Sequence, residues 1–249
     1  MSALPVGFLD RPFAHRGLHG LGAPENSVEA IQAAIEAGYG IEIDVQLSAD
    51  GVAIVFHDYE LRRLTGIEGW MRKTASSEVS DLTLLGGSSA PPMLSDALSL
   101  IAGRVPLLVE IKDQDGRLGR EIGPLEKAVA AALGEYAGPV AVMSFNPHSM
   151  AEMARLAPEV PRGLVTDPFE AHDWLLVPAA RRQELAEIPD AARVGASFVS
   201  HNRAHLSAAA VAKAKAAGLA ICCWTVRSEA EAREARVVAD QITFEGYRA

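Results

Sequence analysis

The chain has 249 residues, 49% of them apolar, and a formal net charge of −9; this is enough apolar matter for a sizeable core, and a charge that argues against non-specific nucleic-acid binding. Mean hydropathy is only +0.11, and the apolar runs are short and broken by glycine or charge, far below the ~20 residues a membrane-spanning helix needs, so no stable membrane insertion is expected. The opening MSALPVGFLDRP lacks a basic stretch followed by an apolar one and reads as no signal peptide, while Cys222 and Cys223, adjacent and a poor disulfide pair, fit a reducing compartment, most simply the cytoplasm.

In chain order, FAHRG (13–17) reads as a short strand running into a turn. A loop, LHGLGAPEN, leads to Ser27 as the cap of a helix to Ala37, with Val28, Ile31, Ala34 and Ile35 on one side and Gly38 and Gly40 as its stop. A strand at 41–47, a Ser-Ala-Asp-Gly turn and VAIVFH (52–57) follow; 58–94 reads as irregular, without an aromatic-rich surface for lipid docking, and Ser95 or Asp96 starts a helix to about Ala102. Strands are then expected at 106–112, 140–145, 162–166, 197–202, 219–226 and 241–245. Helices are expected between them at 120–135, 147–156, 206–217 and 228–236, with a partly helical connector over 168–194. About eight strands alternating with helices at this length predict an α/β fold, a (β/α)8 TIM-type barrel, with a small insertion (about 58–94) after the second strand. Nothing divides the chain, so 1–249 is expected to be a single domain; a doubly wound sheet is disfavoured because no GxGxxG follows the first strand.

The chemistry concentrates in GYGIEIDVQLSADGVAIVFHD (38–58). Period-two geometry sends Ile41, Ile43 and Val45 to one face of the strand and Glu42 and Asp44 to the other. Two carboxylates ~4 Å apart repel by roughly 4 kcal/mol at an effective dielectric near 20, so a proton, a basic side chain or a divalent cation has to offset them. In a barrel, functional groups lie at the C-terminal ends of strands. His15 and Arg16 after the first strand, His57, Glu110 with Lys112 on one strand face, His201 and Trp224 all occupy such positions.

The motifs HRG (15–17), PEN (24–26) before a helix, G-x-E-x-D-V (40–45) and HD-x-x-L-x-R-x-T-G (57–66), followed by VEIK (109–112), SFNP (144–147) and CWTV (223–226), resemble the glycerophosphodiester phosphodiesterase family over nearly the whole chain. The resemblance implies a TIM-type barrel, a divalent cation, and hydrolysis of a small glycerophosphodiester to glycerol 3-phosphate and an alcohol, by way of a cyclic phosphate. It implies Glu42, Asp44 and Glu110 as metal ligands, His15 and His57 as the acid–base pair, and Arg16 and Lys112 as phosphate contacts. Three such oxygen donors suit Mg²⁺ or Ca²⁺, and Mn²⁺ also takes them. Glu25 and Asn26 read either as an ordering pair ahead of the helix, Asn26 as a helix-start residue, or as neighbours of the metal site; Trp224 reads as core filler or as a substrate wall. His19 reads as a loop histidine or as a substrate contact, and His148, His172, His201 and His205 read as structural or surface histidines.

Two positions depart from the family pattern: Arg227 follows CWTV where asparagine is common, and Phe244 stands in the place of an aspartate, both expected at the rim. A phospholipase D-like lyase or another phosphodiesterase on the same barrel, and a non-catalytic phosphodiester-binding protein, are the alternative readings. Head group, metal identity and oligomeric state are not legible in the sequence.

Overall fold

In a computed structural model of the chain, the structure describes residues 3–249. Its strands are β1 (Phe13–Ala14), β2 (Gly40–Leu47), β3 (Ala53–Val55), β4 (Leu107–Ile111), β5 (Val140–Ser144), β6 (Arg162–Thr166), β7 (Phe198–Asn202), β8 (Ala220–Val226) and β9 (Gln241–Phe244). Its helices are α1 (Val28–Ala37), α2 (Arg62–Thr65), α3 (Ser76–Ser80), α4 (Leu94–Ile101), α5 (Pro124–Leu133), α6 (Pro147–Leu156), α7 (Ala179–Ala186), α8 (Ala209–Ala216) and α9 (Glu229–Ala235).

Eight of the strands are parallel neighbours in the order β1-β2-β4-β5-β6-β7-β8-β9, and β1 pairs with both β2 and β9, which closes the sheet into a (β/α)8 barrel. The remaining strand, β3, runs antiparallel to β2 and forms a hairpin with it outside the ring. Alternation along each strand separates two cores. Ile41, Ile43 and Val45 of β2 and Leu107, Val109 and Ile111 of β4 face the helices in the larger cluster, while Phe13, Leu108, Ala141, Met143, Phe198 and Cys222 fill the barrel interior with Phe8. Gly163 is required there, because a Cβ at that position would sit 2.4 Å from the Phe198 ring.

Several boundaries move from the sequence expectation. Strand one stops at Ala14 because Arg16 adopts a positive φ of 54° and Gly17 one of 79°, which turn the chain at the rim. The helix expected at 120–135 starts at Pro124, and that expected at 206–217 starts at Ala209, after a 3-10 turn over Arg203–His205. The helix expected from Ser95 starts at Leu94. The stretch 58–94 is not irregular: α2, α3 and a 3-10 turn at Met71–Lys73 cover their own apolar cluster of Ile54, Phe56, Leu61, Leu64, Met71, Val79 and Leu84. Elements of three to five residues carry too few turns for a periodic pattern to show. Among the described residues, no helix is long and apolar enough to cross a membrane.

Candidate active site

The parallel register of β2 and β4 sets Asp44 beside Glu110, and the strand period places Glu42 on the same inward face. All three carboxylates are buried, and ligand oxygens of the three lie within 4.8 Å of one another. The loop after β1 supports them. Arg16 backbone N–H donates to Glu42 Oε2 at 2.9 Å, and Asn26 clamps Asp44 from both sides, its Nδ2 donating to Oδ2 at 2.9 Å and its Oδ1 accepting from Asp44 N–H at 3.1 Å. Asn26 therefore does not start the helix; Ser27 does, accepting from Ala30 N–H at 3.0 Å. Arg16 and Asn26 both hold positive φ values, 54° and 57°, strain that accumulates where a site over-determines the backbone.

Two cations balance part of this charge. Lys112 Nζ lies 2.7 Å from Glu110 Oε1 and 3.3 Å from Asp44 Oδ1. Arg16 Nη1 binds Glu25 at 2.6 Å, while its buried Nε lies 3.3 Å from Asp44 Oδ2 without making a hydrogen bond. Burial works to raise Asp44, but Lys112, His57 and Arg16 outweigh it and hold the carboxyl well below its usual range. Glu42 goes the other way: burial, then the charges of Asp44 and Glu110, push it well above the carboxylate range. Negative charge that its protein neighbours do not balance, presented by oxygen donors alone, fits a hard divalent cation such as Mg²⁺ or Ca²⁺.

Each imidazole of the candidate pair is held by a carboxylate. His15 Nδ1 meets Glu245 Oε2 at 2.5 Å, and His57 Nδ1 meets Asp58 Oδ1 at 2.7 Å. A carboxylate only accepts, so each Nδ1 carries the proton and Nε2 is left as the reactive nitrogen. The hydrogen bond from His15, against the opposing effect of burial, brings Glu245 down to about 2. Asp58 is fixed by Arg63 at 2.6 and 2.8 Å, and Arg63 reaches Glu25 at 2.7 and 2.8 Å. Glu25 thus touches the two arginines rather than the carboxylate cluster, linking Arg16 on one side to the His57–Asp58 pair on the other.

The three carboxylates, Arg16, Lys112, His15 and His57 line a cleft of about 190 Å³ at the C-terminal end of the barrel, walled by Met143, Phe145 and Trp224. Trp224 donates from Nε1 to Ser200 O at 3.1 Å and packs edge-on against Phe145, so the ring is both anchored and part of the wall. A larger groove of about 380 Å³ between residues 187–192 and α8 carries only Glu187 and Lys213 as charged groups, and these lie 3.6 Å apart. It offers no comparable chemistry.

The rim corrects one expectation. Phe244 is buried, packed edge-on between Tyr39 and Tyr247, and Glu245 occupies the rim instead. Arg227, the other departure, does lie at the rim, with Nη2 2.7 Å from Glu245 Oε1, and so joins an Arg227–Glu245–His15 chain that the residue following Phe244 completes. Glu245 and Asp58 are the site residues that sequence reasoning missed. Asp58 is adjacent to His57 and was legible from that position; Glu245 lies 230 positions from His15, and nothing in the pattern connects them. His201 lies within β7, buried and bonded through Nδ1 to Thr166 Oγ1 at 2.8 Å, and is not part of the cleft.

Comparison with known proteins gives a consistent result. A family model described as the glycerophosphoryl diester phosphodiesterase family matches residues 15–241. Bacillus subtilis (strain 168) YqiK, described as uncharacterized, is 36% identical over 163 residues, 62% of this chain and 65% of that protein, just under two thirds of its length. YhdW of the same strain, described as a putative glycerophosphodiester phosphodiesterase, is 28% identical over 226 residues, 87% of this chain and 86% of that protein. Among solved structures, an Oleispira antarctica phosphodiesterase in complex with the product sn-glycerol-3-phosphate superposes with a TM-score of 0.77 at 24% identity, covering 97% of this chain and 93% of that one.

Proposed function

The chain belongs to the glycerophosphoryl diester phosphodiesterase family and is an enzyme of the phosphoric diester hydrolase class, and on that premise we propose that it hydrolyses small glycerophosphodiesters to glycerol 3-phosphate and an alcohol. The observation that carries the reading is the convergence, in one cleft, of three buried carboxylates, two cations and two carboxylate-held imidazoles. Mere binding of a diester needs no pair of proton carriers, which weighs against a binding protein.

In this reading Glu42, Asp44 and Glu110 hold a divalent cation, Mg²⁺, Ca²⁺ or Mn²⁺. Bound there, the cation supplies Lewis-acid stabilisation of the charge that builds on the phosphoryl oxygens. The chain's own groups do the rest. Arg16 and Lys112, both lining the cleft, hold the non-bridging oxygens, contacts worth most in a site shielded from water. One imidazole, neutral, takes the proton of the attacking hydroxyl at Nε2; the other, charged, returns one to the departing alcohol oxygen. Glu245 and Asp58 stabilise whichever ring is charged and keep both rings turned. Trp224 and Phe145 form an apolar wall for the glycerol carbons. The small cleft supports a compact substrate rather than a long-chain lipid. We keep the single-domain reading and the cytoplasmic setting as part of this proposal, the first supported by closure of β1 on β9 and the second by two buried free thiols.

The test is release of glycerol 3-phosphate from a panel of glycerophosphodiesters, with protein stripped by chelator and resupplied with each cation. Activity is expected to vanish on stripping and return with one ion. His15→Ala is expected to lower turnover at least about 100-fold, the usual weight of an acid–base group, and Glu42→Gln, which removes a metal ligand, to abolish the cation-dependent activity, both without unfolding. Near-full activity in either variant overturns the assignment, and a persistent cyclic phosphate in the phosphorus NMR spectrum reassigns the enzyme as a lyase.

A further inference from the structure

We propose that His15, His19 and Glu245 form a second metal site, suited to zinc and distinct in donor chemistry from the carboxylate cluster, whose filling silences the enzyme. The three residues each offer a ligand atom within 4.8 Å of the others. Glu245 Oε2 stands 2.5 Å from His15 Nδ1 and 3.7 Å from His19 Nε2. A tetrahedral centre with bonds of about 2.1 Å needs donors about 3.4 Å apart, a separation these two distances bracket.

A second observation points the same way. His19 Nε2 is buried against solvent yet makes no hydrogen bond, and a buried nitrogen without a partner is costly unless something takes its lone pair. Two imidazoles and one carboxylate make the His₂Glu set that zinc favours, whereas Glu42, Asp44 and Glu110 offer oxygen alone. The backbone builds the site where the ring closes. Arg16 and Gly17 turn the chain after β1 so that His19 comes back over His15, and His15 N–H bonds Phe244 O at 2.9 Å, fixing it beside the end of β9. Arg227 occupies only Oε1 of Glu245, leaving Oε2 as a single-oxygen ligand.

Zinc bound to His15 Nδ1 displaces the proton now shared with Glu245 and breaks that hydrogen bond. The ring then can no longer be held as a charged proton donor, so the consequence for turnover rests on the acid–base reading above, while the existence of the site does not. His19 does not line the cleft, so its removal leaves the basal reaction intact.

Full-length protein is saturated with Mg²⁺, and Zn²⁺ is titrated into the diester assay for wild type and for His19→Ala and His19→Gln, with thermal scans to verify folding. Turnover of wild type is expected to fall at least about 10-fold as zinc fills the site, and either variant to need at least about 10-fold more zinc for the same loss, a typical weight for one metal-holding group. In parallel, Co²⁺ added to the Mg²⁺-saturated protein is expected to give the strong visible bands of a tetrahedral centre in wild type and not in the variants. Equal inhibition of wild type and both variants overturns the proposal and places the inhibitory zinc on Glu42, Asp44 and Glu110. Absence of the cobalt bands in wild type overturns the site itself, and does so even if no diester proves to be a substrate.

Discussion

Asn26 shows how a single side chain is read differently once its neighbours are known. In sequence it precedes a helix and has the chemistry of a cap, yet its amide makes two hydrogen bonds to Asp44, eighteen positions away, and Ser27 takes the capping role. Phe244 and Glu245 are a second case: a one-position shift in which residue reaches the rim replaces an apparent loss of an acid with an acid that binds His15. His201 is the third. Burial brings its imidazole down to about 4, from the ordinary 6.5, while Nδ1 stays bonded to Thr166. A histidine held neutral in the fold contributes stability that is full above pH 6.5 and lost as the pH falls toward 4, because the unfolded chain then binds the extra proton. Denaturant midpoints measured across that window are expected to decline in wild type, and His201→Asn to make the decline shallower; an unchanged slope in the variant assigns the acid sensitivity elsewhere.

At the scale of elements, helices with a strong start signal or a long apolar stripe were legible and short ones were not. Helix α1 was placed to the residue by Ser27 and Gly38, the latter ending it at a φ of 73°. Helix α6 and strand β6 coincide with their expected bounds. The insertion escaped because its elements are short and its order comes from contacts made elsewhere. Glu29 of α1 accepts hydrogen bonds from Ser88 and Ser89, including both backbone N–H groups, and so ties the end of the insertion to the helix. Because α1 carries both this tether and the loop that holds Arg16 and Asn26, its cap matters beyond the helix. Ser27→Ala is expected to cost about 1 kcal/mol in equilibrium unfolding. A loss near zero would mean that the tertiary contacts of α1, not its cap, hold the loop.

For the molecule as a whole, closure of β1 between β2 and β9 brings residues from both ends of the chain into one cleft. The same closure concentrates three carboxylates, so a divalent cation is expected to stabilise the fold by relieving their repulsion. At 100 times its dissociation constant a ligand adds about 2.7 kcal/mol, roughly 5–10 °C in a chain of this size. Thermal scans of stripped protein with each cation are expected to show that rise, and Glu42→Gln to shrink it; a rise of equal size in the variant places the ion elsewhere. The sequence by itself determined the barrel, the acidic strand and the two histidine motifs, because strand and helix periods and short motifs are local properties of the chain. The partners of those groups were decided only by the tertiary structure: Glu245 for His15, Asn26 for Asp44, and Arg63 between Asp58 and Glu25. Each of those pairings except Arg63–Asp58 joins positions on different elements, and the distance between such positions is set by strand register and barrel closure, to which no local pattern gives access.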